Sequence, residues 1–115
     1  MIIAIVEDLL FASKIKAVAG QLGVVVMFAR SKDAALEEMR KNSPALVILD
    51  LNSARTDPLG TVLAMKRDQS LAPIPTIGFV SHVRADLIDA ARQAGVDEVV
   101  ARSAFTERLA AILSR

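Results

Sequence analysis

The sequence predicts an α/β domain built on a doubly wound, five-stranded parallel sheet. Five short apolar runs lack polar alternation, which is typical of strands covered by helices on both faces. They occupy residues 2–6, 24–28, 45–49, 76–80 and 96–101. The longer segments between them carry apolar residues at helical spacing. Strict alternation with short connections favours parallel strands and helices on both faces of the sheet.

Helical spacing and cap residues define the helices between these strands. The clearest apolar stripe follows the first strand and comprises Phe11, Ile15, Val18 and Leu22. Gly23 and Gly95 are placed to act as C-terminal caps. Ser31 is placed to cap the second helix, and Ser103 or Thr106 the last one.

Composition excludes several classes of function. At 115 residues the chain is predicted to form a single domain, residues 1–115. Its 14 Lys and Arg residues against 13 Asp and Glu leave a formal charge of +1, which favours neither nucleic acid nor an anionic membrane as partner. No cysteine is present, so disulfides and thiolate metal sites are excluded and a reducing, cytoplasmic location is expected. No apolar run approaches the ~18 residues of a membrane-spanning helix.

Polar residues follow four of the predicted strands. Glu7 and Asp8 follow the first strand, Asp50 the third, Ser81 the fourth and Arg102 the fifth. In open α/β sheets the binding crevice lies at the carboxyl ends of the strands, near the point where strand order reverses. These side chains are therefore expected to share one edge of the sheet. A Rossmann or P-loop nucleotide site is excluded because no glycine-rich turn follows the first strand.

The chemistry of these residues indicates a metal-assisted phosphoryl site. Three carboxylates at one edge repel each other, and Mg²⁺ prefers such hard oxygen ligands in small number. The Ser81 hydroxyl and the Arg102 guanidinium could stabilise a phosphoryl oxygen on Asp50. Each residue also has a structural explanation, since Asp8 could cap the first helix, Ser81 the fourth, and Arg102 could form a surface salt bridge. Their joint placement favours function, whereas His82, the only histidine, receives no role.

Across nearly its whole length the chain resembles the receiver domain of two-component response regulators. The matching segments are IVED at 5–8, LVILDL at 46–51, PTIGFVS at 75–81 and AGVD at 94–97. They are similar to the family's acidic pair, its phosphoacceptor strand, its strand ending in Thr or Ser, and the lead into its last strand. The resemblance implies a flavodoxin-like three-layer sandwich.

The resemblance also implies a set of roles. Asp50 would accept a phosphoryl group from a histidine kinase, a phosphotransfer protein or a small phosphodonor. Glu7, Asp8, Asp50 and the backbone carbonyl of Asn52 would hold Mg²⁺. Ser81 would follow the phosphoryl group, and the change would be passed to a downstream protein target. The chain would be a switch and not an enzyme.

Several positions depart from the family pattern. Arg102 replaces the family's lysine, and Ser103 replaces the proline after it. Val99 stands where an aromatic switch residue is usual. The position after the acidic pair, commonly polar in the family, is Leu9, which begins the apolar triplet Leu9, Leu10 and Phe11. These side chains could plug the site or form a contact surface, and the structural explanation for Phe11 is that it packs the start of the first helix. The loop after the third strand also looks longer than usual.

Three functional hypotheses follow. The first is a stand-alone receiver that is phosphorylated on Asp50 with Mg²⁺. The second is a pseudo-receiver that acts as a phosphorylation-independent interaction or dimerisation module. A metal-assisted hydrolase is the weakest, because no general base beyond the carboxylates and no substrate-binding loop can be identified. A homodimer through the fourth helix, fifth strand and fifth helix is a further expectation, because that surface carries mixed charges.

Overall fold

A computed structural model describes residues 1–81 and 84–115 of the chain. The strands are β1 Ile2–Ile5, β2 Val26–Ala29, β3 Leu46–Asp50, β4 Thr76–Val80 and β5 Glu98–Ala101. The helices are α1 Leu9–Leu22, α2 Lys32–Asn42, α3 Pro58–Arg67, α4 Ala85–Ala94, α5 Arg102–Glu107 and α6 Leu109–Leu113. The strands form one parallel sheet in the order β2-β1-β3-β4-β5. The predicted doubly wound sheet is therefore confirmed.

Alternate residues of each central strand enter two separate cores. Ile3 and Ile5 of β1 are fully buried in a core completed by α2, α3 and α4. Ile2 and Ala4 point to the opposite face, which α1, α5 and α6 cover. Because successive side chains of a strand point to opposite faces, a run without polar residues fits a sheet covered on both sides.

The two glycine caps are confirmed, and they explain why two strands begin later than predicted. Gly23 and Gly95 end α1 and α4 with φ values of 70° and 113°. The next N–H groups, of Val24 and Val96, donate back to carbonyls of the preceding helix, at 2.9 Å and 3.0 Å. These groups are therefore unavailable to the sheet, so β2 begins at Val26 rather than at residue 24 and β5 at residue 98 rather than 96.

One of the predicted N-terminal caps is confirmed and the other is wrong. The Ser31 hydroxyl accepts the Ala34 N–H at 3.2 Å and caps α2. Neither Ser103 nor Thr106 caps α5, because the helix already begins at Arg102, directly after β5 ends at Ala101. Thr106 instead donates its hydroxyl hydrogen to the Arg102 carbonyl oxygen, at 2.9 Å. No helix in the described part of the chain is long and apolar enough to cross a membrane.

The topology brings the carboxyl ends of β1, β3 and β4 to one edge. Strand order reverses between β1 and β3, since β1 lies between β2 and β3. Ile5 of β1 pairs with Leu49 of β3, and Asp50 pairs with Phe79 of β4. The residues that follow these pairs therefore surround the switch point, where α/β proteins place their binding crevices.

Two glycines provide a test of the α4 cap. We expect Gly95→Ala to lower the free energy of unfolding by about 1–2 kcal/mol, because φ is positive and the new Cβ would lie 2.8 Å from Lys66 Cε. Gly20→Ala is the matched control within α1, where a Cβ meets no atom within 4 Å. It should raise stability by about 0.5–1 kcal/mol. Urea unfolding of both variants measures the contrast, and equal effects would contradict the assigned cap.

Candidate functional site

Asp50 is the most enclosed carboxylate of the site. It is the last residue of β3 and only 9% exposed. One carboxylate oxygen, Oδ1, accepts the N–H of Asn52 at 3.0 Å. Burial raises the pKa of Asp50, and the nearby charges of Glu7 and Asp8 add to the rise, while the Asn52 N–H and Arg102 oppose it.

Asp8 has a structural role and an electrostatic one. Its Oδ1 caps α1 by accepting the N–H groups of Leu10 and Phe11, at 3.0 Å and 3.2 Å, as the structural explanation expected. Its Oδ2 forms an ion pair with Nη2 of Arg102 at 3.0 Å. The hydrogen bond from Arg102, followed by those from the helix N–H groups, lowers the pKa of Asp8.

Glu7 is bound by the loop between β3 and α3. Its carboxylate accepts the Ser53 hydroxyl, and its Oε2 lies 3.5 Å from Nε of Arg55. Ser53 also accepts the N–H of Thr56, which stabilises the turn that carries Arg55. Neither Ser53 nor Arg55 was predicted from the sequence to belong to the site. The one sequence feature that drew attention to this loop was its length.

A second set of contacts joins the loops after β3 and β4. The Ser81 N–H donates to Oδ1 of Asn52 at 2.6 Å. Nη1 of Arg102 lies 3.4 Å from the Ser81 hydroxyl oxygen. Ser81 therefore faces the site and does not cap α4, whose N-cap residue is Arg84. His82 lies outside the described residues.

Arg102 also contacts an aromatic cluster beneath the site. Its guanidinium carbon lies 4.1 Å from the centre of the Phe11 ring, a cation–π contact. Phe11, Phe79 and Phe105 pack together with ring centres 4.9–5.8 Å apart. The cluster joins α1, β4 and α5, so the position of Arg102 depends on core packing as well as on charge.

The apolar residues after the acidic pair differ in how far they are exposed to solvent. Phe11 is buried, as the structural explanation for it expected. Leu9 and Leu10 are 66% and 85% exposed, so they leave the pocket open. Leu10 lines a shallow cavity of about 230 Å³ together with Phe11, Lys14 and Arg102. An apolar surface therefore borders the candidate site.

The carboxylate oxygens of the site are ligands of the kind that a divalent cation prefers. The described side chains, however, are not arranged around one point at which a cation could bind. Carboxylate oxygens are the ligands that Mg²⁺ prefers. Within residues 1–81 and 84–115, no three His, Cys, Asp or Glu side chains form a metal-binding group. Glu7 is directed to Ser53 and Arg55, and Asp8 to the start of α1 and to Arg102. The metal roles of Glu7, Asp8, Asp50 and the Asn52 carbonyl stay predictions.

Comparison with solved structures identifies the fold. A response regulator from Hahella chejuensis superimposes with a TM-score of 0.87 at 19% identity, covering 98% of this chain and 91% of that one. The chemotaxis protein CheY4 of Vibrio cholerae gives 0.85 at 16% identity, covering 99% and 95%. The Mn²⁺-bound form of the response regulator Rcp1 gives 0.81 at 17%, covering 98% and 91%. No protein-family model and no curated protein matches the sequence.

The chain thus has the flavodoxin-like fold of response-regulator receiver domains. The resemblance inferred from the sequence is confirmed at the level of the fold. The candidate site lies where that fold places its functional residues, at the carboxyl ends of β1, β3 and β4.

Titration of Asp50 provides a test of its burial. Because the folded state raises the pKa of Asp50 above its unfolded value, ionisation destabilises the fold at neutral pH. Asp50→Asn should therefore raise the free energy of unfolding at pH 7, on the order of 1 kcal/mol. The gain should vanish below the unfolded pKa, near 3.8, where the carboxyl is protonated in both states. Denaturant unfolding between pH 3 and 7 measures it.

The exposed Asp89→Asn is the matched control for Asp50→Asn, with no effect expected at either pH. A loss of stability at pH 7 in Asp50→Asn would contradict the assigned environment of this carboxylate.

Proposed function

We propose that the chain is a phosphoacceptor receiver in which Asp50 takes a phosphoryl group from a histidine kinase, a phosphotransfer protein or a small phosphodonor. The observation that carries this proposal is the Asp50 carboxylate at the switch point, close to Arg102 and Ser81. Asp50 forms no salt bridge with the residues that the structure describes, and a nearly buried carboxylate of this kind costs stability, so a functional reason for keeping it is favoured.

The proposed transfer is a nucleophilic displacement. A carboxylate oxygen of Asp50 attacks phosphorus and forms the acyl phosphate bond. The bond from phosphorus to the donor atom breaks, and its electron pair leaves with the donor, which takes up a proton. Bound Mg²⁺ would supply charge neutralisation at the phosphoryl oxygens, with Glu7, Asp8, Asp50 and the Asn52 carbonyl as its ligands.

Two side chains are suited to stabilise the negative charge on the phosphoryl oxygens during the transfer. Arg102 carries a permanent positive charge and reaches the Ser81 hydroxyl, so both can serve one phosphoryl oxygen. The Ser81 N–H is held by the Asn52 side chain, and exchange of that bond for a phosphoryl oxygen would alter the loop after β4. Such a local charge event would bias the surface that a downstream protein recognises.

The start of α1 is the proposed contact for a phosphodonor protein. Leu9 and Leu10 are exposed beside the site, and together with the neighbouring cavity they offer an apolar surface that a partner could cover. Lys14 lies one turn further on, and α1 contains no acidic residue. A partner with apolar contacts and an acidic rim would fit this surface.

A pseudo-receiver is the second candidate, and the ion pairs of the acidic residues favour it. Glu7 forms an ion pair with Arg55 and Asp8 with Arg102, so the charges of both acidic side chains are already neutralised within the chain. The predicted homodimer gains less support from charge, because Glu98 on β5 is paired within the chain to Arg108 and Arg115, at 3.1 Å and 2.9 Å. Dimerisation stays a prediction for sedimentation analysis.

Beryllofluoride, which mimics an aspartyl phosphate, tests the two candidates. We expect it to shift the backbone amide signals of Asp50, Asn52 and Ser81 only when Mg²⁺ is present, because the proposed site needs the cation to balance its charge. The Asp50→Asn chain, which keeps the shape but not the nucleophile, should show no such change. Asp89→Asn should respond like the wild type.

A lack of response in the wild type at millimolar Mg²⁺ would overturn the phosphoacceptor proposal. The pseudo-receiver would then account for the fold, with its function in the exposed surface at Leu9 and Leu10.

A further inference from the structure

Two arginines from different parts of the chain each bind one member of the acidic pair. Nε of Arg55 lies 3.5 Å from Oε2 of Glu7, and Nη2 of Arg102 lies 3.0 Å from Oδ2 of Asp8. Arg55 belongs to the loop between β3 and α3, whereas Arg102 is the first residue of α5. The chain thus supplies one guanidinium for each carboxylate.

The remaining oxygens of the pair are engaged as well. Oε1 of Glu7 accepts the Ser53 hydroxyl, and Oδ1 of Asp8 accepts the N–H groups of Leu10 and Phe11. Every carboxylate oxygen of Glu7 and Asp8 therefore has a partner within the protein. A cation that binds either carboxylate therefore competes with existing contacts for the same oxygens.

We propose that Arg55 and Arg102 are built-in competitors of divalent cations, so that metal binding to the acidic pair weakens or breaks the two ion pairs. This inference rests on the proposed function in taking Glu7 and Asp8 as metal ligands. It accounts for the lack of a convergent metal group among the acidic residues of the described part of the chain. Release of Arg102 from Asp8 would also free it for a phosphoryl oxygen beside Ser81.

The two competitors differ in strength. Arg102 is 33% exposed, and its contact with Asp8 is supported by the Phe11 ring at 4.1 Å. Arg55 is 76% exposed, and its Nε lies 3.5 Å from Oε2 of Glu7, which is longer than the 3.0 Å contact of Arg102 with Asp8. Exposed pairs of long side chains gain little from Coulomb attraction, because water screens them and ordering costs entropy. Arg102 is therefore the stronger competitor.

Metal affinity of the full chain tests this inference. Free Mn²⁺ is measured by electron paramagnetic resonance during titration of the wild type, Arg55→Gln, Arg102→Gln and the double variant. We expect the dissociation constant to fall about three-fold in Arg102→Gln and about two-fold in Arg55→Gln, with nearly multiplicative effects in the double variant. In the wild type, added Mg²⁺ should shift the Nε–H signals of Arg55 and Arg102.

Arg84→Gln is the control for a general loss of positive charge. Arg84 lies at the same edge of the sheet, where it lines a cavity with Asn52 and Ser53, but its partner is Asp86 at 2.9 Å. Its removal should leave the Mn²⁺ affinity nearly unchanged. Equal tightening in this control would overturn the inference, because the effect would then be one of net charge.

The other outcomes separate the inference from the proposed function. Equal Mn²⁺ affinity in all chains would overturn the competition but leave the metal-dependent receiver intact. Weaker binding in the Arg55 and Arg102 variants would also overturn it, because the arginines would then support the metal. Absence of saturable binding even in the double variant would overturn both the competition and the metal role of the acidic pair.

Discussion

The nearly buried charge of Asp50 is the constraint on which the site depends. The sheet reverses its strand order beside this residue, and the loops after β1 and β4 reach the same edge. Glu7 and Asp8 make ionisation of Asp50 still less favourable, so positive charge must come from elsewhere. The chain meets this need with Arg102 and Arg55, and their ion pairs fix the loops around the crevice.

Arg102 connects this electrostatic requirement to the hydrophobic core. A planar guanidinium can bind Asp8 along its edge while its face rests on the Phe11 ring, which the compact ammonium of lysine does not match. The helix that Arg102 opens is held by Phe105, which packs against Phe11 and Phe79. The arginine at the start of α5 is thus accommodated by packing as well as by charge.

The sequence was sufficient to predict the sheet and the candidate site residues at the strand ends, but not the residues that contact them. Apolar runs identified the strands because burial on both faces removes polar alternation, and Gly23 and Gly95 marked helix ends because φ is positive there. The predicted starts of β2 and β5 were wrong, since cap N–H groups bond to the helix. Arg55 and Ser53 were missed because loop geometry, which no periodicity describes, brings them to Glu7.

The distribution of aromatic residues suggests which surface responds to a change at the site. Val99 of β5 is half-buried against the core of α2, α3 and α4, and the described residues of that core include no aromatic side chain. All four phenylalanines belong to the opposite core, under α1, α5 and α6. Because Arg102 rests on Phe11, displacement of its guanidinium changes contacts of α1 and α5 first. A displacement of Arg102 would therefore be felt first at α1 and α5, whereas the described residues packed around Val99 include no aromatic side chain that could pass it on through β5.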